Sequence, residues 1–215
     1  MNLLHTAHVP RGDGPFPTLF ALHGWGAGAH DLLSLAPVLL GGEALVICPQ
    51  GTVEIPLGPG YSGYGWFALR SDRPPDPEEF RRAGEALREF VAQASERFPV
   101  DPVRTVLLGF SQGGMMGYDL ALREPERFRG LAALSSRFPQ QLAESLPKLP
   151  GQEGFPVLIT HGTEDTVIPV EAARESRELL RTFGITLTYR EHAIGHGIDQ
   201  AVVEVVNDWL SKRGL

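Results

Sequence analysis

Three residue types in this chain have contexts that suit nucleophilic catalysis. Ser111 lies in Gly109-Phe110-Ser111-Gln112-Gly113-Gly114, Asp165 in His161-Gly162-Thr163-Glu164-Asp165, and His196 between Gly195 and Gly197. A serine hydroxyl is a weak nucleophile at neutral pH. It needs a histidine to take its proton and an acid to hold that histidine in one tautomer. Gly-x-Ser-x-Gly alone is a weak pattern that any glycine-rich turn can produce. Its flanks make it informative: the apolar run Val106-Leu107-Leu108 precedes it and the helix-compatible stretch Met115 to Arg123 follows. In that strand–turn–helix setting the serine sits on a strained turn, with its hydroxyl lifted clear of the backbone. The flanking glycines are needed because strand and helix come too close for a Cβ.

The elements that must carry these residues alternate along the chain. Leu3 to Val9 reads as a short edge strand, Thr18 to Leu22 as a stronger one and Ala44 to Cys48 as a third. Asp76-Pro77-Glu78-Glu79 opens a helix, with an aspartate cap, proline at the first position and glutamate at the third. Phe80, Ala83, Leu87, Phe90, Val91, Ala94 and Phe98 recur at helical spacing until Pro99. The strand bearing the serine is expected to begin near Arg104. Gly130 to Ser135 and Phe155 to Thr160 follow as strands, Val170 to Phe183 as a helix stopped by Gly184, Ile185 to Arg190 as a last strand, and Ile198 to Leu210 as the closing helix. This alternation predicts an α/β fold with a mostly parallel central sheet covered by helices on both faces, in one domain spanning 1–215. Ligands of such folds bind beyond the carboxyl ends of the strands. Ser111, Asp165, His196 and the loop at Trp25 each follow a predicted strand, so all four are expected at one edge.

Composition narrows the function. A formal charge of −7 argues against a nucleic-acid partner, which requires a basic footprint. No apolar run approaches the roughly 18 residues of a membrane span. The single cysteine, Cys48, excludes an internal disulfide and sits in the apolar run Leu45-Val46-Ile47-Cys48, which suits a buried structural thiol. With no signal-peptide pattern at Met1 to His5, a cytoplasmic location is expected. Monomer and homodimer are not separable from these residues.

Local chemistry separates the competing motifs. Gly24-x-Gly26-x-x-Ala29, after a strand and before a helix, fits a dinucleotide fingerprint. The next strand, however, ends in Pro49-Gln50-Gly51, with no acid to hold a ribose. No cofactor is expected, and the glycines read instead as a loop whose N–H groups face an anion. His23, closing a strand, is expected to be a structural hydrogen-bonding residue. His192 and His196 stand four apart, but Gly195 between them disfavours the helix that a metal pair needs, so no metal is expected. Glu164 is the runner-up to Asp165. The glycine- and proline-rich stretch from Gly51 to Pro75, with Trp66 and Phe67, reads as an irregular loop, serving equally as surface packing or as a substrate-pocket wall. Ser136 to Gly154 leaves room only for a small or absent cap. In it Leu142 and Leu146 suit either an acyl groove or ordinary packing, and Met115, one turn after the serine, is a further lining candidate.

Together, Leu22-His23-Gly24, the Ser111 elbow, His161-Gly162-x-x-Asp165-x-Val167-Ile168-Pro169 and Gly195-His196 resemble the phospholipase/carboxylesterase family of α/β hydrolases, from about Leu19 to Leu210. That family includes bacterial carboxylesterases and acyl-protein thioesterases. The resemblance implies a cofactor-free α/β-hydrolase fold acting on short- to medium-chain acyl esters or thioesters, lysophospholipids included. It assigns Ser111, Asp165 and His196 to a triad and the backbone N–H groups of Trp25 and Gln112 to an oxyanion hole. The order serine, acid, histidine agrees. Trp25-Gly26-Ala27 and Trp66-Phe67-Ala68 depart from the usual pattern and bear on substrate choice. Hydrolysis of a peptide or lactone bond, or ligand binding without turnover, are the alternatives.

Overall fold

The computed structural model describes residues 1–70 and 75–215. Its central sheet contains β1 (His5–His8), β2 (Phe16–Leu22), β3 (Leu45–Pro49), β6 (Val100–Phe110), β7 (Leu131–Leu134), β8 (Pro156–Gly162) and β9 (Thr186–His192). A separate two-stranded hairpin joins β4 (Val53–Gly58) to β5 (Tyr61–Gly65). Spatial order in the sheet is β1-β3-β2-β6-β7-β8-β9, with β1 antiparallel to β3 and every other pairing parallel.

Side-chain alternation sorts the strands' apolar residues onto two faces. Phe20, Leu22, Leu45, Ile47 and Leu107 join one buried cluster with α1 (Pro77–Arg97), α2 (Gln112–Arg123) and α4 (Val170–Thr182). Leu19, Ala21, Val46, Cys48, Val106 and Leu108 join a second cluster, covered by α5 (Gln200–Ser211). Helix α2 is buried along nearly its whole length, leaving only Arg123 partly exposed. Helix α1 buries Phe80, Ala83, Leu87, Phe90, Val91 and Ala94, as its spacing predicts.

Four local expectations change. The stretch after Ala29 forms two 3-10 turns, Leu32–Leu35 and Leu39–Gly42, where a helix was expected. Pro37 and the glycine pair Gly41-Gly42, both at positive φ, interrupt the backbone there. The serine-bearing strand starts at Val100, because Phe16 and Thr18 of β2 extend its pairing to Val100 and Thr105. The capping aspartate accepts the Glu78 N–H at 2.9 Å, but Glu79 turns away from the cap and accepts the Ala68 N–H at 2.9 Å. The Gly51 to Pro75 stretch, of which residues 71–74 lie outside those described, contains the β4–β5 hairpin. The stretch 136–154 contains only α3 (Gln140–Ser145) as regular structure.

The register aligns the strand ends. Leu22 of β2 pairs with Gly109 of β6, Phe110 with Leu134 of β7, Leu134 with Thr160 of β8, and Gly162 with His192 of β9. The connection after β2 leads to β3 on one side, and that after β6 leads to β7 on the other. The crevice at their carboxyl ends is therefore the switch point of the sheet, where open α/β folds bind ligands.

Candidate active site

Ser111 ends that crevice with φ +53° and ψ −118°, a strained conformation for a residue with a side chain. The turn is possible because a Cβ on Gly109 would lie 2.5 Å from the Gly113 carbonyl oxygen. One on Gly113 would lie 2.0 Å from that of Leu22. The Ser111 carbonyl is held from below by the Ser136 hydroxyl, which donates at 2.7 Å. Ser111 itself is 8% exposed.

His196 reaches the serine from the loop after β9, its Nε2 3.0 Å from Ser111 Oγ. Its Nδ1 lies 2.7 Å from Asp165 Oδ2. A carboxylate only accepts, so Nδ1 carries the proton and Nε2 is left to accept from the serine hydroxyl. The ring also packs on Phe110, with centroids 4.9 Å apart. Asp165 Oδ1 accepts the N–H groups of Val167 at 2.8 Å and Ile168 at 2.9 Å. Burial pushes this carboxyl up, but the hydrogen bonds from His196, Ile168 and Val167 outweigh it and hold it below the usual carboxylate range. Glu164 is exposed, and of the two adjacent acids it is Asp165 that reaches His196.

Sequence reasoning passed over His161. Its ring is fully buried; Nε2 donates to the Ile168 carbonyl at 2.7 Å and lies 3.3 Å from Asp165 Oδ2. It closes the Asp165 turn. The available signal was its position at the end of β8, four residues before the acid.

The Trp25 loop lies against the serine, since a Cβ on Gly24 would be 3.2 Å from Ser111 Cβ. Among the described residues, neither the Trp25 N–H nor the Gln112 N–H at the start of α2 has an acceptor. His23 is structural, as expected. Its Nε2 accepts the Gly51 N–H at 2.9 Å and its Nδ1 donates to the Gly24 carbonyl at 2.7 Å, so both nitrogens are occupied. Burial lowers its pKa and keeps it neutral.

Trp66 and Phe67 are buried. The Trp66 indole N–H donates to the His23 carbonyl at 2.9 Å, and its ring lies 5.0 Å from that of His23. The Gln112 side chain accepts the Trp66 N–H at 2.8 Å and donates to the Phe67 carbonyl at 2.7 Å. Met115 lines a groove of about 520 Å³ with Phe138, Ala143, Ala172 and Leu179. Leu142 and Leu146 face the core beneath α3, and their neighbour Ala143 faces the groove.

The phospholipase/carboxylesterase family profile matches residues 8–213. The chain belongs to this family. Acyl-protein thioesterase 1 of Gibberella zeae is similar to this phospholipase/carboxylesterase-family chain, with 25% identity over 203 residues, 89% of this chain and 85% of that one. The structure of the Bacillus cereus carboxylesterase resembles it with a TM-score of 0.82 and 25% identity, covering 98% of this chain and 94% of that one. Esterase PE8 resembles it with a TM-score of 0.81 and 25% identity, each chain being 98% covered. Membership makes the chain a hydrolase of the carboxylic ester class on an α/β-hydrolase fold. Among the described residues, no helix is long and apolar enough to cross a membrane.

Proposed function

We propose that this chain is a serine carboxylesterase that hydrolyses short- to medium-chain acyl esters through an acyl-enzyme intermediate. The observation that carries the reading is the continuous chain from Ser111 Oγ through His196 to Asp165, with spacings of 3.0 and 2.7 Å. His196 Nε2 takes the hydroxyl proton as Ser111 attacks the acyl carbonyl, and Asp165 stabilises the imidazolium that forms. The carbonyl oxygen becomes an oxyanion, which the free N–H groups of Trp25 and Gln112 receive, each such donor typically contributing about 3 kcal/mol. His196 then returns the proton to the leaving alcohol and later activates water to release the acid. The same steps serve a thioester, the bond named in acyl-protein thioesterase 1.

The groove beside Met115 supports the chain-length assignment. Its volume of about 520 Å³ suits a small ligand, and α3 is too short to roof it. The acyl chain lies there, against Met115 and Phe138. Trp66 and Phe67 act behind the site, and Leu142 and Leu146 act beneath the groove as support.

The test is turnover of p-nitrophenyl esters from acetate to palmitate by the wild-type enzyme and by Ser111→Ala. The expected result is activity that peaks at short or medium chains and falls by about three or more orders of magnitude in the variant. Near-native turnover by Ser111→Ala would overturn the mechanism. A maximum at palmitate would overturn the groove assignment.

A further inference from the structure

Arg137 has no part in the mechanism above, yet its place on the backbone is tightly determined. It leaves the end of β7 between two anchored residues. On one side Ser136 donates to the Ser111 carbonyl, and Ser135 before it donates to the Gly197 carbonyl at 3.3 Å, beside His196. On the other side the Phe138 N–H donates to Ser176 Oγ of α4 at 2.8 Å. A side chain held between the serine turn, the histidine loop and α4 has a restricted reach, and that reach lies along the groove floored by Met115, which Arg137 lines.

Its charge is also uncommitted. Arg88, Arg104, Arg123, Arg127 and Arg174 each make ion pairs of 2.6–2.9 Å with carboxylates. Arg137 is exposed and makes no hydrogen bond or ion pair among the described residues. Among the described residues, the one carboxylate lining the same groove is Glu175, also exposed and not within ion-pair distance. A guanidinium presents a planar fork of donors matched to a carboxylate. On a protein of net charge −7, an anionic substrate is repelled in general, so a local cation decides whether one is accepted.

We propose that Arg137 makes the enzyme select esters whose acyl chain ends in a carboxylate, the half-esters of short dicarboxylic acids. This rests on the reading that the acyl chain occupies the groove beside Met115. The methylenes run along Met115 and Phe138, and the distal carboxylate meets the guanidinium at the mouth. Arg137 is then a specificity residue.

The experiment compares p-nitrophenyl valerate with mono-p-nitrophenyl glutarate, which share a leaving group and chain length and differ in a terminal carboxylate. The ratio of kcat/KM for the anionic over the neutral ester is measured for the wild-type enzyme, Arg137→Gln and Arg137→Glu. The ratio is expected to fall about tenfold in Arg137→Gln and further in Arg137→Glu. The wild-type ratio is also expected to decline as salt is raised. Glutarate is expected to inhibit valerate hydrolysis in the wild type more strongly than in Arg137→Gln. An unchanged ratio in both variants would overturn the proposal while valerate turnover leaves the esterase reading intact. No turnover of either ester by the wild type would overturn that underlying reading.

Discussion

In the proposed triad Asp165 must stay ionised while its carboxylate is shielded from water, and the residue-scale arrangement achieves this by saturating it with donors. Two backbone N–H groups reach one oxygen, and His196 reaches the other with His161 close behind. Because hydrogen bonding holds its pKa below the usual range, the group contributes stability that is fully present above the unfolded carboxylate value. That contribution disappears as pH falls through the lowered native value. In Asp165→Asn an amide replaces the acceptor, and its N–H favours the wrong imidazole tautomer. A loss of about 10³–10⁴ in kcat is expected at neutral pH, with unchanged circular dichroism. The difference in thermal stability between wild type and variant should narrow below about pH 4, which a melting series across pH would measure. A gap that widens in acid would show that the carboxylate is not ionised in the native enzyme.

At the scale of elements, the hairpin β4–β5 is a brace for the loop that carries Trp25. The Gly26 N–H donates to the Tyr64 carbonyl at 2.9 Å, and the Tyr64 N–H donates back to Ala27 at 2.7 Å. That pairing brings the chains so close that a Cβ on Gly63 would lie 2.0 Å from the Gly26 carbonyl oxygen. Gly63→Ala must push the hairpin off the loop and displace the Trp25 N–H. It is expected to cost tenfold or more in kcat, by loss of alignment of one of the two proposed oxyanion donors. Gly58→Ala, near the hairpin tip with nothing within 4 Å of its added Cβ, is expected to be nearly neutral. Steady-state kinetics on the pair check this; equal effects would remove the bracing role. The contrast also shows what the sequence could disclose. The Ser111 elbow, the acid after β8 and the histidine between glycines were legible because each residue's context is local to its strand end. Helix α1 was legible from the period of Phe80, Leu87 and Val91. The hairpin was not, because the reason for Gly63 lies in Gly26, far back in the chain, and glycine-rich sequence reads as loop whenever its partner is unseen. His161 was overlooked for the same kind of reason, since its role depends on a turn that folds back onto β8.

Across the whole molecule, the sheet divides its apolar residues by parity into two cores, and Cys48 belongs to the one covered by α5. It is 1% exposed, in β3 beside the four-residue edge strand β1, where it pairs with Thr6. Burial pushes its thiol up to about 12, so the reactive thiolate is scarce at neutral pH and inaccessible as well. Its labelling therefore reports how far the structure must open to admit a reagent. If β1 opens only with the rest of the sheet, labelling by a disulfide reagent at pH 8 should run at least about a hundredfold slower than for a free thiol. That ratio corresponds to an opening free energy of about 3 kcal/mol or more. The labelling rate should then rise with urea along the same slope as global unfolding followed by circular dichroism. An edge strand that frays by itself would give fast labelling and a shallow urea slope while esterase activity persists. The first outcome would make the edge strand and the active-site edge parts of one cooperative unit. The second would confine cooperativity to β3 and the strands beyond it, which carry all four site loops.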